Sequence, residues 1–187
     1  MRPEETFEGR ALIGEQEYMD SLPQGPDKSA GAIPASEWKW FGHAAHFICG
    51  RWCRFHLATQ IGGFIVSTVG EYLPPESSRE YTAARKGIPI TGRGEQAEAE
   101  YIRKVGYEEI GYGRKFETMV FRAGKPCSAP GCSCGLPELS PPNELDFEGY
   151  NTPGEAAAGH ARLCQTVASV EWRSALIVRE AQAEGRS

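Results

Sequence analysis

The chain has 187 residues, of which 40% are hydrophobic and 24% are charged, and its formal net charge is −5. This length suits one domain with or without extensions, and the apolar content suffices for a core. No apolar run approaches the roughly 20 residues of a membrane-spanning helix, and the acidic start of the chain lacks an apolar signal core. We therefore expect a cytoplasmic protein, and the negative charge argues against a general nucleic-acid coat.

Composition divides the chain into three segments. Residues 1–36 hold many Gly, Pro, Ser and acidic residues without a sustained period, which predicts a flexible N-terminal arm. Residues 37–125 are expected to form an α+β core. Residues 126–187 are expected to form a Cys-rich loop, which is a candidate zinc site, followed by a helix.

The strongest local pattern predicts a β-hairpin. Two β-rich runs flank Gly62-Gly63, a dipeptide typical of a two-residue hairpin turn. In this register Ile61 pairs with Phe64. One strand face is then mostly apolar and should cover the core; it carries Phe55, Leu57, Thr59, Ile61, Phe64, Val66 and Thr68. The opposite face places Arg54 across from Glu71, His56 across from Val69, and Ala58 across from Ser67.

Helix signals follow the hairpin. Residues 73–93 suggest loops with one short helix, and residues 94–105 predict a helix that ends at Gly106. Residues 107–111 and 114–122 resemble a second strand pair. A capping box at residues 152–155 predicts a final helix to about residue 183, with Leu163, Val167, Val170 and Ile177 as its apolar stripe. The expected fold is α+β: a small antiparallel sheet built on hairpins, one mid-chain helix and a long C-terminal helix.

One stretch of fourteen residues, 43–56, contains three of the four histidines and two of the six cysteines. Such groups bind metals or move protons near neutral pH. As an enzyme site, His56 could act as a general base with Arg54 and Glu71 on its face, and His46 or Cys49 nearby. As a metal site, the stretch could supply ligands from His43, His46, Cys49 and Cys53. Alternatively these residues are structural, since cysteine and strand histidine are often buried.

A second group of cysteines predicts a zinc site. Cys127, Cys132 and Cys134 lie in a loop rich in proline and glycine, while His160 and Cys164 lie four residues apart on one helix face. Four of these five residues could surround a tetrahedral zinc, preferably the four cysteines, with His160 replacing one of them as the alternative. The loop could instead hold an iron–sulfur cluster, or the residues could be reduced thiols with a solvent-facing histidine.

Several motifs together resemble an uncharacterised family of bacteriophage and prophage proteins. They are Trp40-Phe-Gly-His43, His46-Phe-Ile-Cys49, Cys53-Arg-Phe-His-Leu-Ala-Thr59, Ser67-Thr-Val-Gly-Glu-Tyr72, Arg114-Lys-Phe-Glu-Thr-Met-Val-Phe121, Cys132-Ser-Cys-Gly-Leu-Pro137 and Gly149-Tyr-Asn-Thr-Pro-Gly-Glu155. The resemblance covers about residues 38 to 165. It implies a small phage protein that acts in the host bacterial cytoplasm, and it transfers neither an activity nor a site residue.

Three hypotheses about function follow. The first is a zinc-stabilised phage accessory protein that acts by binding a host or phage macromolecule, such as a protein. The second is a small hydrolase or transferase centred on His56, Arg54 and Glu71. The third is nucleic-acid binding through residues 79–125, which carry ten basic and seven acidic residues, a net charge of +3.

Overall fold

The computed structural model describes residues 31–41, 50–128, 130, 135–139 and 144–184. The strands are β1 (Lys39–Phe41), β2 (Cys53–Ile61), β3 (Phe64–Tyr72), β4 (Phe116–Pro126), β5 (Pro137–Leu139) and β6 (Asp146–Tyr150). The helices are α1 (Glu76–Arg85), α2 (Glu95–Lys104), α3 (Pro153–Ala168) and α4 (Val170–Glu184). Short 3₁₀ turns span Ala35–Glu37 and Gly50–Trp52. The predicted α+β class is confirmed.

The sheet is antiparallel and has six strands in its described part. Its order is β1-β2-β3-β4-β5, and β6 also pairs with β4. The β2–β3 hairpin has the predicted register, with Ile61 paired to Phe64 and His56 paired to Val69. Strands β5 and β6 come from the predicted C-terminal segment, so the sheet draws on both the central and the C-terminal parts of the chain.

Helix α3 covers one face of the sheet. The capping box is present: Thr152 Oγ1 accepts from Glu155 N–H, and the Glu155 carboxylate accepts from Thr152 N–H. The predicted inner face of the hairpin packs against this helix. Buried side chains at this contact are Ile61, Val66, Val120, Leu163, Cys164, Val167 and Ala168, with Phe55, Leu57, Phe116, Tyr150 and Ala156 in a neighbouring cluster.

The other sheet face is also buried. Cys53, Ala58, Ile65 and Val69 form its centre, and further apolar side chains pack around them. Between β3 and β4 the chain forms α1 and α2, which enclose a small separate cluster around Tyr101. Residues 73–93 therefore contain the predicted short helix, and α2 lies where the helix over 94–105 was expected, so the middle of the chain has two helices.

The long C-terminal helix is interrupted at Ser169. Its backbone is extended there (φ −71°, ψ 153°), and its hydroxyl donates to Thr166 O at 2.7 Å while accepting from Trp172 N–H at 3.2 Å. The interruption changes the helical phase. Leu163 and Val167 are buried as predicted, but Ile177 is 66% exposed and Leu176 is buried in its place.

The expectation of a strand at residues 107–111 is corrected. These residues form isolated bridges, Tyr72 with Glu108 and Gly111 with Arg114, rather than a strand.

Most of the predicted N-terminal arm, residues 1–30, lies outside the described residues. In its described end Ile33 packs against the α3 cluster, and its N–H donates to Ala168 O at 3.0 Å. No helix in the described ranges is long and apolar enough to cross a membrane.

Candidate functional site: a cleft at the start of helix α3

His160 lies at the centre of the α3–sheet contact. Because the capping box fixes the start of α3, His160 shares a helix face with Leu163, Cys164 and Val167 and is turned toward the sheet. Its side chain is fully buried, so the alternative of a solvent-facing histidine is wrong. A polar ring at this depth requires hydrogen-bond partners.

Two strand threonines provide those partners. Thr59 Oγ1 lies 2.9 Å from Nε2 of His160, and Thr68 Oγ1 lies 2.7 Å from its Nδ1. Burial lowers the pKa of His160 to about 3, so the ring is neutral at physiological pH. A neutral imidazole has one N–H donor and one acceptor nitrogen, and this environment offers a hydroxyl to each.

From Thr68 the hydrogen bonds continue toward the surface. Thr68 Oγ1 lies 2.6 Å from Thr118 Oγ1, and Thr118 bonds the Tyr150 hydroxyl. Tyr150 donates to Glu148 Oε2 at 2.7 Å, and Glu148 forms an ion pair with Arg162. Burial, followed by this hydrogen bond to Glu148, raises the pKa of Tyr150. A continuous chain of polar groups thus joins the buried imidazole to a surface guanidinium.

The carboxylate fixes the direction of this chain. An ionised carboxylate only accepts, so Tyr150 must donate to Glu148 and accept from Thr118. Thr118 then accepts from Thr68, and Thr68 accepts from His160 Nδ1–H. This direction predicts that His160 carries its proton on Nδ1 and that Nε2 accepts from Thr59.

The outer end of the chain opens into a cleft of about 300 Å³. It is lined by Arg114, Gly149, Tyr150, Asn151, Glu155, Ala158 and Arg162. The Arg114 side chain lies across Gly149: a β-carbon on Gly149 would be 2.7 Å from Arg114 Cγ. The missing side chain at position 149 thus gives the arginine stem its place along the edge of β6.

The carboxylates of the cleft already have partners. Glu155 accepts from the backbone N–H groups of Asn151 at 3.2 Å and Thr152 at 3.1 Å, and these bonds, with the Thr152 hydroxyl, lower its pKa. Glu148 is held by Tyr150 and Arg162. Over the part of the chain that the structure describes, no carboxylate oxygen lies within 4.0 Å of the Arg114 guanidinium.

An exposed tyrosine stands beside the cleft. Tyr112 is 93% exposed and lies in the turn Gly111–Arg114 with φ +51°, a region that non-glycine residues seldom adopt. Its ring meets Phe147 edge-on at 6.0 Å between centroids. Tyr112 precedes Arg114 by two residues, and Phe147 precedes Gly149 by two residues. We call Tyr112, Arg114, Phe147 and Arg162 the Tyr112 surface.

The predicted catalytic residues are only partly brought together. Arg54 pairs with Glu98 of α2, and Arg79 lies 3.5 Å from the same carboxylate. Glu71 has φ +53°, and burial raises its pKa although the charge of Arg54 opposes the shift. The charge of Arg54 thus acts on Glu71, while the Arg54 side chain pairs with Glu98 and connects the hairpin to α2.

His56 lies in a different row of the sheet. It pairs with Val69, and Val69 pairs with Glu117 on β4. Glu117 is 4% exposed, so a buried carboxylate lies on the His56 face, two strands away. His46 and Cys49 lie outside the described residues.

The predicted zinc ligands separate into two places. Cys164 is fully buried beside Val120, whereas Cys127 follows the end of β4, seven residues beyond Val120. At about 3.3 Å per strand residue this is roughly 20 Å along the strand, too far for two thiolates each about 2.3 Å from one zinc. His160 has hydroxyls on both nitrogens, and Cys132 and Cys134 lie outside the described residues.

The described ranges contain no group of three or more His, Cys, Asp or Glu side chains placed to hold a metal ion. Of the three predicted ligands in the cysteine loop, the structure describes Cys127, which is half-buried and whose N–H donates to Leu136 O at 2.7 Å. The arrangement that does converge is the cleft, with two guanidinium groups, a phenol and an amide at one end of α3. No protein-family model, curated protein or solved structure matches the chain.

Proposed function

We propose that the chain is a phage-type accessory protein that acts in the bacterial cytoplasm by binding a host or phage protein through the Tyr112 surface. The observation that carries this proposal is the 93% exposure of Tyr112 on a backbone with positive φ. The positive φ belongs to a two-residue turn, in which Tyr112 and Gly113 both have positive φ and Arg114 N–H donates to Gly111 O at 2.9 Å. Such turns favour Gly, Asn or Asp at their centre, and this one carries a large aromatic ring that lies in water rather than in the core.

The residue types of the surface favour a protein partner. Tyrosine and arginine are enriched among the residues that dominate protein–protein binding energies, and Tyr112, Arg114 and Phe147 provide both. Tyr112 brings contact area with few rotatable bonds, and its edge-on contact with Phe147 restrains it further.

The charge around the surface disfavours nucleic acid, which is the alternative partner. Arg114 and Arg162 are the two cations that line the cleft, Glu155 lines it as well, and Glu148 pairs with Arg162. The whole chain carries −5. Two cations can meet a single anionic group, whereas a nucleic-acid backbone is bound through several phosphate contacts at once, which produce a strong salt dependence.

Site-specific photocross-linking tests the proposal. A photoreactive amino acid would replace Tyr112 in the full chain, expressed in the host bacterium. The matched control is position 81, because Tyr81 is also exposed, at 65%, but lies on α1. We expect one discrete protein adduct from position 112 and none from position 81.

The captured protein would then be purified and its binding measured by calorimetry. We expect Tyr112→Ala to weaken binding about tenfold or more, as for an interface anchor, and Tyr81→Ala to leave it within about twofold. Equal adducts at both positions, or binding indifferent to Tyr112→Ala, would refute the proposal. Recovery of nucleic acid instead of protein would support the alternative.

Zinc in the loop of Cys127, Cys132 and Cys134 is a second part of the proposal. The support is chemical: Cys127, Cys132 and Cys134 lie within one stretch of eight residues, and closely spaced thiolates are preferred ligands of zinc. Elemental analysis of purified protein tests it. About one equivalent of zinc that is lost in Cys132→Ser is expected, and less than about half an equivalent of any transition metal would contradict it.

The enzymatic alternative has one specific support, the raised pKa of Glu71 at a positive φ beside Arg54. Shifted carboxyl groups are concentrated in active sites. The two functions separate in a double variant, His56→Ala with Glu71→Ala. Partner binding should survive in this variant if the protein acts by binding, whereas any hydrolase or transferase activity of that centre should be lost.

A further inference from the structure

We infer that the cleft beside Tyr112 receives a carboxylate of the partner protein, so that the partner presents an acidic segment to Arg114 and Arg162. This inference rests on the proposed function and names the chemistry of the bound protein. Three features of the cleft support it. Arg114 forms no close ion pair among the described residues, Arg162 has N–H donors that Glu148 does not use, and the lining includes two small residues.

Arg114 forms no close ion pair within the described ranges. Its stem lies against Gly149, and no carboxylate comes within 4.0 Å of its guanidinium there. The bonds from Asn151 and Thr152 lower the pKa of the nearby Glu155, and the charge of Arg114 adds to this effect from a longer distance. The N–H donors of Arg114 are therefore available to a carboxylate that approaches more closely than Glu155 does.

Arg162, on α3, supplies the second cation of the cleft. It pairs with Glu148, but a guanidinium has five N–H donors and Glu148 occupies only part of them. Glu148 in turn is bonded by Tyr150, which keeps it in place. An incoming carboxylate can therefore share Arg162 with Glu148 without displacing it.

The lining of the cleft includes two residues with little or no side chain. They are Gly149 and Ala158, and the volume of about 300 Å³ accommodates one or two side chains. Asn151 adds an amide to the lining. Tyr112 lies only two residues before Arg114, so we expect residues next to a bound Asp or Glu to reach it.

A titration of the full ¹⁵N-labelled chain tests the inference without the natural partner. The probe is capped tetraglutamate, with capped tetraglutamine as the neutral control. We expect saturable shifts of the Gly149 and Asn151 amides and of the Arg114 Nε–H resonance with tetraglutamate alone. Raising the salt concentration should weaken them, because the contact is ionic.

Three variants make the test specific. Arg114→Ala should lower tetraglutamate affinity about tenfold. Gly149→Ala keeps the charge but pushes the arginine stem aside, and it should also weaken binding. Lys115→Ala removes an adjacent exposed cation and should leave affinity unchanged. Equal binding in Arg114→Ala and wild type, or no saturable shift with tetraglutamate, would overturn the inference.

Inorganic phosphate is the third probe in this titration. Saturation by phosphate with no response to tetraglutamate would assign the cleft to a phosphorylated ligand and overturn the acidic-segment inference. Failure here is distinguishable from failure of the proposed function. A cross-link at position 112 that persists in Arg114→Ala would uphold protein binding while excluding the carboxylate contact.

Discussion

The Tyr150 hydroxyl occupies the space in front of Gly159 on α3: a β-carbon on Gly159 would lie 2.0 Å from the tyrosine oxygen. This contact allows the strand to approach the helix closely enough for Tyr150 to reach both Thr118 and Glu148. Any side chain at position 159 would separate the two elements and break the hydrogen-bond chain between them.

We therefore predict opposite effects of two glycine substitutions in α3. Gly154→Ala meets nothing within 4 Å and should stabilise the fold by about 0.5–1 kcal/mol, because it restricts the unfolded chain. Gly159→Ala should destabilise it by about 1–3 kcal/mol through overpacking. Urea unfolding of both variants measures the free-energy changes, and a neutral or stabilising Gly159→Ala would contradict the packing described.

His160 is predicted to carry its proton on Nδ1. The carboxylate of Glu148 sets the direction of donation through Tyr150, Thr118 and Thr68, so Nδ1 must donate. Long-range ¹H–¹⁵N correlation spectra distinguish the two nitrogens. In Thr68→Val the acceptor for Nδ1–H is gone, and the Nδ1 resonance should change most. A spectrum with the proton on Nε2 in the native chain would show that the direction is reversed.

The same histidine predicts a pH dependence of stability. Burial lowers its pKa to about 3 in the folded state from 6.5 in the unfolded state, so the unfolded chain binds the extra proton between these values. Stability is fully present above pH 6.5 and falls as the pH drops, with a slope approaching about 1.4 kcal/mol per pH unit.

Urea unfolding at about pH 7.5 and 5.0 measures this loss of stability. Both pH values lie above the pKa of about 2 that Glu100 has in the folded protein. His160→Gln should reduce the pH dependence relative to the native chain, provided it folds. If it does not fold, the imidazole resonances of the native protein serve instead. An imidazolium signal from His160 at pH 5 in folded protein would contradict the prediction.

Glu100 is predicted to anchor the loop before α2. It accepts from Thr91 N–H at 2.9 Å and Gly92 N–H at 3.0 Å and pairs with Lys104 at 2.6 Å. The Lys104 bond first, and then the two backbone bonds, lower its pKa to about 2. The anchor is complete above pH 4.5 and is lost as the pH falls through about 2.

In Glu100→Gln the amides of Thr91 and Gly92 should exchange with solvent faster, as hydrogen exchange would show. Glu95→Gln is the control because Glu95 lies in the first turn of the same helix. Unchanged protection at both amides in Glu100→Gln would exclude the anchoring role.

The sheet was largely predictable because its signals are local. Alternating apolar residues around Gly62-Gly63 specify a hairpin in which a shift by one residue would expose the core face, and the predicted register is confirmed. The interruption at Ser169 was not predicted. Its hydroxyl bonds the backbone on both sides of the break and so competes with the hydrogen bonds of a continuous helix. Beyond the break, the rings of Trp172 and Phe64 pack with 5.2 Å between their centroids, a contact between distant segments that the local sequence does not specify.

The cleft was harder to predict because it depends on contacts between distant segments. The sequence pattern did place Thr59 and Thr68 on the core-facing side of the hairpin, and hydroxyls in a core need partners. This signal was available, but it did not identify His160 as their partner. The approach of Tyr150 to Gly159 follows from the crossing of α3 over the sheet, which no local pattern specifies.

The cysteine loop leaves and re-enters the sheet at the same place: Pro126 pairs with Pro137, and Cys127 N–H donates to Leu136 O. Because these backbone bonds close the segment, a change in its length does not require the neighbouring strands to move. Leu136 itself is 1% exposed and belongs to the buried part of the fold. Insertions between Cys127 and Leu136 are therefore expected to be tolerated, whereas a polar residue in place of Leu136 is expected to destabilise the fold.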